Sequence, residues 1–372
     1  MALPDRPVRF LQANTFYPQY LEDFYTGNPQ LIDASYQNQM DALLDDGFSG
    51  SHIFTRQLLD HGFETFQVIV NNLVSQAKWS IEAGGTVDGA VDPIQVLQHQ
   101  IKAFEPDILY LTDIVTFDSR FIRTLSKKPT IVSGWRGFPS PKGTDWSEFD
   151  LVLTSFDRIM KEAEDFGASN SARFYPGFPE SSRVLIEPRE IKWDVVFSGT
   201  ITHQHRRRIS ILEMVAQLST ESNGEFSFGL FMPDVNALTP PVQQLNQGAR
   251  WGDEMLRVLR NARIVINIDV DAFDSQPPNM RLIEATGAGA FLMTPYHPEL
   301  KNFFEPGLEV ETFRTENELA SKLLYFLDNP DRCDEIARNG QKRCLTEHGL
   351  GKRTAWFKDI MQKTLEAKVG AA

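Results

Sequence analysis

Cysteine is nearly absent: Cys333 and Cys344 are the only two in 372 residues, and they lie in a charged stretch of helical pattern. Their spacing matches neither a disulfide framework nor a metal site, so a reducing, cytoplasmic setting is expected. Long apolar runs are missing too. No stretch approaches the roughly 18 apolar residues that a membrane-spanning helix needs. The opening MALPDRPVRFLQAN lacks the basic start and apolar centre of a secretory signal. Any membrane contact is therefore expected to be peripheral. Positive charge is also short, 37 Lys and Arg against 50 Asp and Glu giving a net charge of −13. A sequence-independent grip on nucleic acid or an anionic membrane needs a basic surface, so both are argued against. A small basic site for a phosphorylated ligand remains open.

What is present is an alternation of short β-rich apolar runs with helix-patterned segments, in a chain that is 41% hydrophobic. That alternation is the signature of βαβ units and parallel sheets. Strands are expected over 8–13, 65–70, 108–111, 130–133 and 151–154, with helices around 31–44, 51–61, 94–104, 120–126 and 158–166. The stretch PGFPESSRVLIEPREIK, with three prolines and no clear period, reads as a linker. A second set follows, with strands over 194–198, 226–231, 264–268 and 290–293, and helices around 206–218, 253–261 and 279–286. After 308–311 the chain reads as helical, over 316–327, 332–348 and 352–367. The expected domains are 1–178, a linker 179–192, 193–348, and a final helix in 349–372 with no third sheet to serve, a candidate for crossing back to the first domain. Two doubly wound sheets predict ligands at the carboxyl ends of the strands, in a cleft between domains.

Two stretches can carry chemistry. In WDVVFSGTITHQHRRR a buried-type strand ends at Ser198, Gly199 and Thr200, and a cation-rich helix follows. Backbone N–H groups at such a loop cradle anions, and Arg206 or Arg207 is placed to clamp a diphosphate. The plainer reading is a solvated helix face after an ordinary turn. In PPNMRLIEATGAGAFLMT, Pro277, Pro278 and the N-cap candidate Asn279 fix a helix start, and Gly287 is the expected helix end. Arg281 and Glu284 share one face. A carboxylate there can accept ribose hydroxyl protons and a guanidinium can meet a phosphate; the alternative is an internal ion pair.

The block RLIEATGAGAFLMTPYHPELKNFFEPGLEVETFRTENELASKLLYFL, the later DNPDRCDEIARNGQKRCLTEHG and the earlier FSGTI resemble the C-terminal half of GT-B glycosyltransferases, most nearly the CgeB-type branch of glycosyl transferase group 1. More loosely, GFSGSHIFTRQLLDHGFETFQVIV and FDLVLTSFDRIMKEAEDFGA resemble N-terminal segments of the same fold. The resemblance implies two Rossmann-like, doubly wound parallel-sheet α/β domains facing a cleft, and transfer of a sugar from a nucleoside-diphosphate donor. It further implies that Glu284 binds the donor ribose, that Arg281 and Ser198 to Thr200 lie near the diphosphate, and that an N-domain loop at Gly50, Ser51 and His52 faces the donor. Many retaining enzymes of this fold have a glutamate eight positions before the helix one, where this chain has Gln276. The stereochemical outcome therefore stays open.

An inverting enzyme needs a base, and His52 and Asp113 are the candidates, His52 for its intrinsic titration range and Asp113 for its place after a strand. Each is equally at home as a cap. His203 and His205 are weaker candidates to assist the leaving diphosphate. In GWRGFPSP, Trp135 suits a sugar face and Arg136 an acidic acceptor, or Trp135 and Phe138 simply pack the loop onto the domain. Asp269 and Asp271 form an Asp-x-Asp able to hold Mg²⁺ or Mn²⁺. Their place on a late strand of a second sheet argues against a metal, so no cofactor is expected beyond the nucleotide-sugar co-substrate. The expected function is sugar transfer to a hydroxyl acceptor, with a nucleotide-sugar epimerase or hydrolase, or a non-catalytic binding protein of the same fold, as alternatives.

Overall fold

The computed structural model describes residues 6–85, 90–201, 205–222, 226–269 and 279–370. The chain divides into two compact units. The first holds residues up to Asp45, His52–Tyr175 and Arg353 onward; the second holds Asp46–Ser51 and Pro176–Lys352.

The first unit is built on six parallel strands, β1 (Arg9–Asn14), β2 (Glu64–Ile69), β3 (Ile108–Leu111), β4 (Ile131–Trp135), β5 (Leu151–Thr154) and β6 (Ser171–Arg173), in the spatial order β2-β1-β3-β4-β5-β6. The order reverses between β1 and β3, the switch point at which open α/β sheets bind ligands. The strands β3 and β5 are buried along their whole length, as expected of a sheet covered on both faces. Helices Pro18–Gly27 and Leu73–Glu82 and the edge strand β6 were not expected from the sequence. Their start signals are nonetheless local: Pro18 stands at the first helical turn, and the Asn72 side chain accepts from the Ser75 amide. The helix expected over 51–61 is instead a 3-10 turn, Gly50–His52, and a short helix, Thr55–Leu59. The break is tertiary. Buried Gln12 on β1 donates to the His52 carbonyl at 2.7 Å and accepts from the Phe54 amide at 3.0 Å, taking up backbone groups a continuous helix would use itself.

Within the last helix, Leu350–Gly370, residues from Arg353 onward belong to this unit. Thr354, Phe357, Met361 and Leu365 form its buried stripe. Phe357 stacks on Phe54 with centroids 4.3 Å apart and meets Phe10 and Tyr110 edge-on. Burying that ring contributes roughly 2–3 kcal/mol.

The second unit has five parallel strands, β7 (Trp193–Ser198), β8 (Phe228–Phe231), β9 (Ala262–Ile266), β10 (Phe291–Pro295) and β11 (Glu311–Phe313), ordered β11-β10-β9-β7-β8. Its switch point lies between β7 and β9. The stretch 179–192 is not a free linker, because charged side chains pin it to this unit: Glu187 pairs with Arg257 at 2.7 Å and Arg189 with Asp334 at 2.7 Å. Residues 311–313, lying between the stretch 308–311 and the helix expected from 316, form β11, with Thr312 in register beside Thr294. Residues 46–51 are held here by Phe48, edge-on to Trp251 at 5.6 Å.

Candidate functional site

At the carboxyl ends of β7 and β9 several loops converge. Ser198 closes β7, followed by Gly199 and exposed Thr200. Three arginines follow in the first turn of the helix Arg206–Glu221, which has no acidic residue there and whose N-cap, His205, makes no capping bond with its side chain. Cations at a helix N-terminus oppose the macrodipole, an arrangement that favours an anion at that end. The three do not act alike. Arg206 is exposed. Arg207 turns towards β11, donating to the Arg314 carbonyl at 3.1 Å and lying over the Phe313 ring. Arg208 is buried, and its guanidinium donates to the carbonyls of Thr200 and Ile268, clamping the loop after β7 to the loop after β9. The sequence offers Arg206 or Arg207 to clamp a diphosphate and does not single out Arg208, which the structure uses to join the two loops. Helical phase is the signal that finds it, since Arg208, Ile211, Leu212 and Val215 form one buried stripe.

The helix Met280–Ala288 opens against the same edge. Asn279 caps it, accepting from the Leu282 amide at 3.2 Å, while its own amide donates to Asn267 at 2.9 Å and to Asp269 at 3.2 Å. Arg281 pairs with Glu284 Oε2 at 3.0 Å, both side chains about 15% exposed or less, and reaches Ser198 Oγ at 3.4 Å. Glu284 Oε1 carries no bond among the described residues. The predicted helix end moves: Gly287 lies inside the helix, and Gly289, at φ 83°, makes the left-handed C-cap. Pro277, Pro278, Gln276, Asp271 and His203 lie outside the described residues.

In the first unit, β3 and β4 bring the other candidates together. Leu111 is in register with Gly134, so Asp113 and Arg136 follow side by side. The Arg136 guanidinium loses basicity through burial, a loss that Asp113 opposes, and it donates to the Pro139 carbonyl at 2.8 Å. Asp113 accepts from the Thr116 amide at 3.1 Å, as a turn cap does. The Trp135 ring lies 4.7 Å from the His52 ring, packing it onto the unit. His52 is only 5% exposed. Burial pushes its pKa down from 6.5 to about 4, so at neutral pH it is an uncharged imidazole rather than a group poised near 7. Gly50 and Ser51, expected in the N-domain, belong to the second unit, where the Gly177 amide donates to the Ser51 carbonyl.

That buried imidazole gives the protein a pH signature. The unfolded chain binds the proton at about 6.5 and the folded one at about 4, so between these values the unfolded state holds more protons. Stability is therefore complete above about pH 6.5 and falls as pH drops towards 4, by up to roughly 3 kcal/mol for this group. Urea titrations at pH 4.5 and 7 are expected to show a smaller acid loss in His52→Gln than in the wild type.

A cavity of about 410 Å³ lies elsewhere, near the amino ends of β3 and β4, lined by Arg6, Lys102, Lys127 and Lys128 among others. Three of these cations are spent in ion pairs, Arg6 with Asp107, Lys127 with Glu105 and Lys128 with Glu148. The switch-point edge is the better-built site.

Residues 207–359 match the family described as glycosyl transferase-like. The match spans less than half of the chain. No curated protein sequence matches it. Among solved structures, a glycosyltransferase from Rickettsia africae is similar with a TM-score of 0.59, 9% identity, and 97% of this chain and 99% of that one covered. AviGT4, a glycosyltransferase involved in avilamycin A biosynthesis, is similar at 0.57 and 13% identity, covering 97% and 99%. HepE from Anabaena, solved with UDP and glucose, is similar at 0.55 and 11% identity, covering 96% and 100%. The matched stretch includes Arg207, Arg208, Arg281 and Glu284, and the whole chain has the two parallel-sheet α/β units of the GT-B fold. No helix among the described residues is long and apolar enough to cross a membrane.

Proposed function

We propose that this protein is a cytoplasmic, metal-independent glycosyltransferase of the CgeB-type branch, moving a sugar from a nucleoside-diphosphate donor held by the second unit to a hydroxyl acceptor. The observation that carries the reading is the convergence, at one sheet edge, of the β7 loop, the Arg208 clamp and the Arg281–Glu284 pair. Arg281 anchors one oxygen of Glu284, which leaves the other to accept from the donor ribose. Ser198, Gly199, Thr200 and Arg206 supply dipoles and charge for the diphosphate, Arg207 being held towards β11, with Asn279 fixing the helix that presents Arg281. Gly50 and Ser51 belong to the same unit.

For the acceptor, Trp135 and Arg136 line the edge of β4, and of the two base candidates Asp113 is the more accessible. Each Asp269 oxygen already accepts a hydrogen bond, one from Asn279 and one from His297, which gives the carboxylate a partner without a metal and supports metal-independent chemistry.

The test is nucleotide binding by calorimetry with EDTA present. Some nucleoside diphosphate is expected to bind the wild type, and Glu284→Ala is expected to weaken it about 10- to 100-fold, the loss of a hydrogen bond to a charged group. The melting temperature should change little. Wild-type protein that binds no nucleotide, or a Glu284→Ala variant that loses stability and keeps its affinity, would sink the reading.

A further inference from the structure

His297 stands beside this site without a place in the assignment above. It follows β10, and its Nε2 lies 2.7 Å from Asp269 Oδ2. The other Asp269 oxygen accepts from Asn279, which also donates to Asn267, and Asn267 donates in turn to Thr294 Oγ1 at 3.0 Å. The pair is thus fixed by side chains from the ends of β9 and β10 and from a helix start. Asp269 is 13% exposed and His297 27% exposed, so the imidazole is the member that faces out.

The chemistry of that outward face follows from the partner. An ionised carboxylate only accepts, so Nε2 carries the proton, and in a neutral ring Nδ1 is then a bare acceptor. Among the described residues Nδ1 has no partner. Phosphate oxygens are acceptors too and gain nothing from it. A sugar hydroxyl is the donor that fits.

Taking the second unit as the donor unit, we infer that His297 Nδ1 accepts a hydrogen bond from a ring hydroxyl of the donor sugar. Asp269 is the positioning residue that sets its tautomer. The pair then selects the sugar, while the Arg281–Glu284 face holds the nucleotide.

The experiment compares a nucleoside diphosphate with its sugar conjugates by calorimetry, using UDP, GDP and dTDP against their glucose, galactose, mannose and N-acetylglucosamine forms. The comparison is read on the conjugate that the wild type binds most tightly. His297→Phe keeps a ring and is expected to weaken the conjugate about tenfold or more while leaving the free diphosphate unchanged. His297→Asn returns an acceptor near the Nδ1 position and should recover part of the loss; Asp269→Asn should fall between the two. Equal losses for conjugate and free diphosphate in a folded His297→Phe variant, or no loss for the conjugate, would overturn the inference and leave the donor reading standing. A wild type that binds no diphosphate at all would overturn the donor reading itself and this inference with it.

Discussion

Arg208→Met is expected to lower kcat/KM for sugar transfer by about 10²–10³, the usual cost of removing one preorganised group from the place where transition-state charge collects. Arg208 is buried and spans the carbonyls of Thr200 and Ile268, so its charge sits at the junction of the two loops that would flank the leaving diphosphate. Methionine keeps much of the volume and removes both charge and fork. Arg208→Lys restores the charge as a single point and cannot bridge two carbonyls in the same way, so a loss of about tenfold is expected. Two carbonyls left bare would also cost about 1–3 kcal/mol each, seen as a lower urea midpoint. Rates are therefore read on protein shown to be folded. Arg207→Met is the comparison, since that side chain is committed to the Arg314 carbonyl and the Phe313 ring, and a much smaller loss is expected. A folded Arg208→Met variant with undiminished kcat/KM would reduce the arginine to a clamp between loops.

The two sheets were legible because their strands are short β-rich apolar runs separated by helical patterns, and the start of the helix Met280–Ala288 was legible because Asn279 caps it with its own side chain. Those are local signals. What was not legible depends on residues distant in sequence. Charge alone cannot rank three consecutive arginines; only the phase of the helix they begin shows that Arg208 points inward. His52 has an ordinary imidazole until Trp135 and the surrounding core bury it. The neighbourhood of Asp113 and Arg136 is a fact of register between β3 and β4, which neither strand states by itself. The His297–Asp269 pair was missed for the same reason, as β10 and β9 bring it together. In 176–192, three prolines and an absent period mark irregular backbone. They do not reveal that Glu187 and Arg189 find partners on the second unit.

Gly287→Ala carries the largest expected effect on stability, a loss of about 3 kcal/mol or more, of the size that overpacking produces. Helix propensity argues the other way, because alanine is favoured over glycine inside a helix by about 1 kcal/mol. Packing decides the sign. A Cβ at Gly287 would overlap the Phe178 ring, within 2.7 Å even of Cε2. Phe178 has little room to retreat: its amide donates to the His348 carbonyl at 2.8 Å, and its carbonyl accepts from the Leu350 amide at 2.7 Å. The helix cannot easily yield either, since the Gly287 carbonyl accepts from Gln341 at 3.0 Å. Strain should therefore pass along the helix to Arg281 and Glu284, and nucleotide affinity is expected to fall with stability. Combining Gly287→Ala with Phe178→Leu opens the space, so the double variant is expected to be more stable than the two single losses predict when added. Gly289→Ala acts by another route, the left-handed conformation at φ 83°, with an expected cost of about 1–2 kcal/mol that Phe178→Leu does not relieve. Urea unfolding of the single and double variants reads both effects, and a Gly287→Ala protein as stable as the wild type would show that the Phe178 ring does not confine this helix.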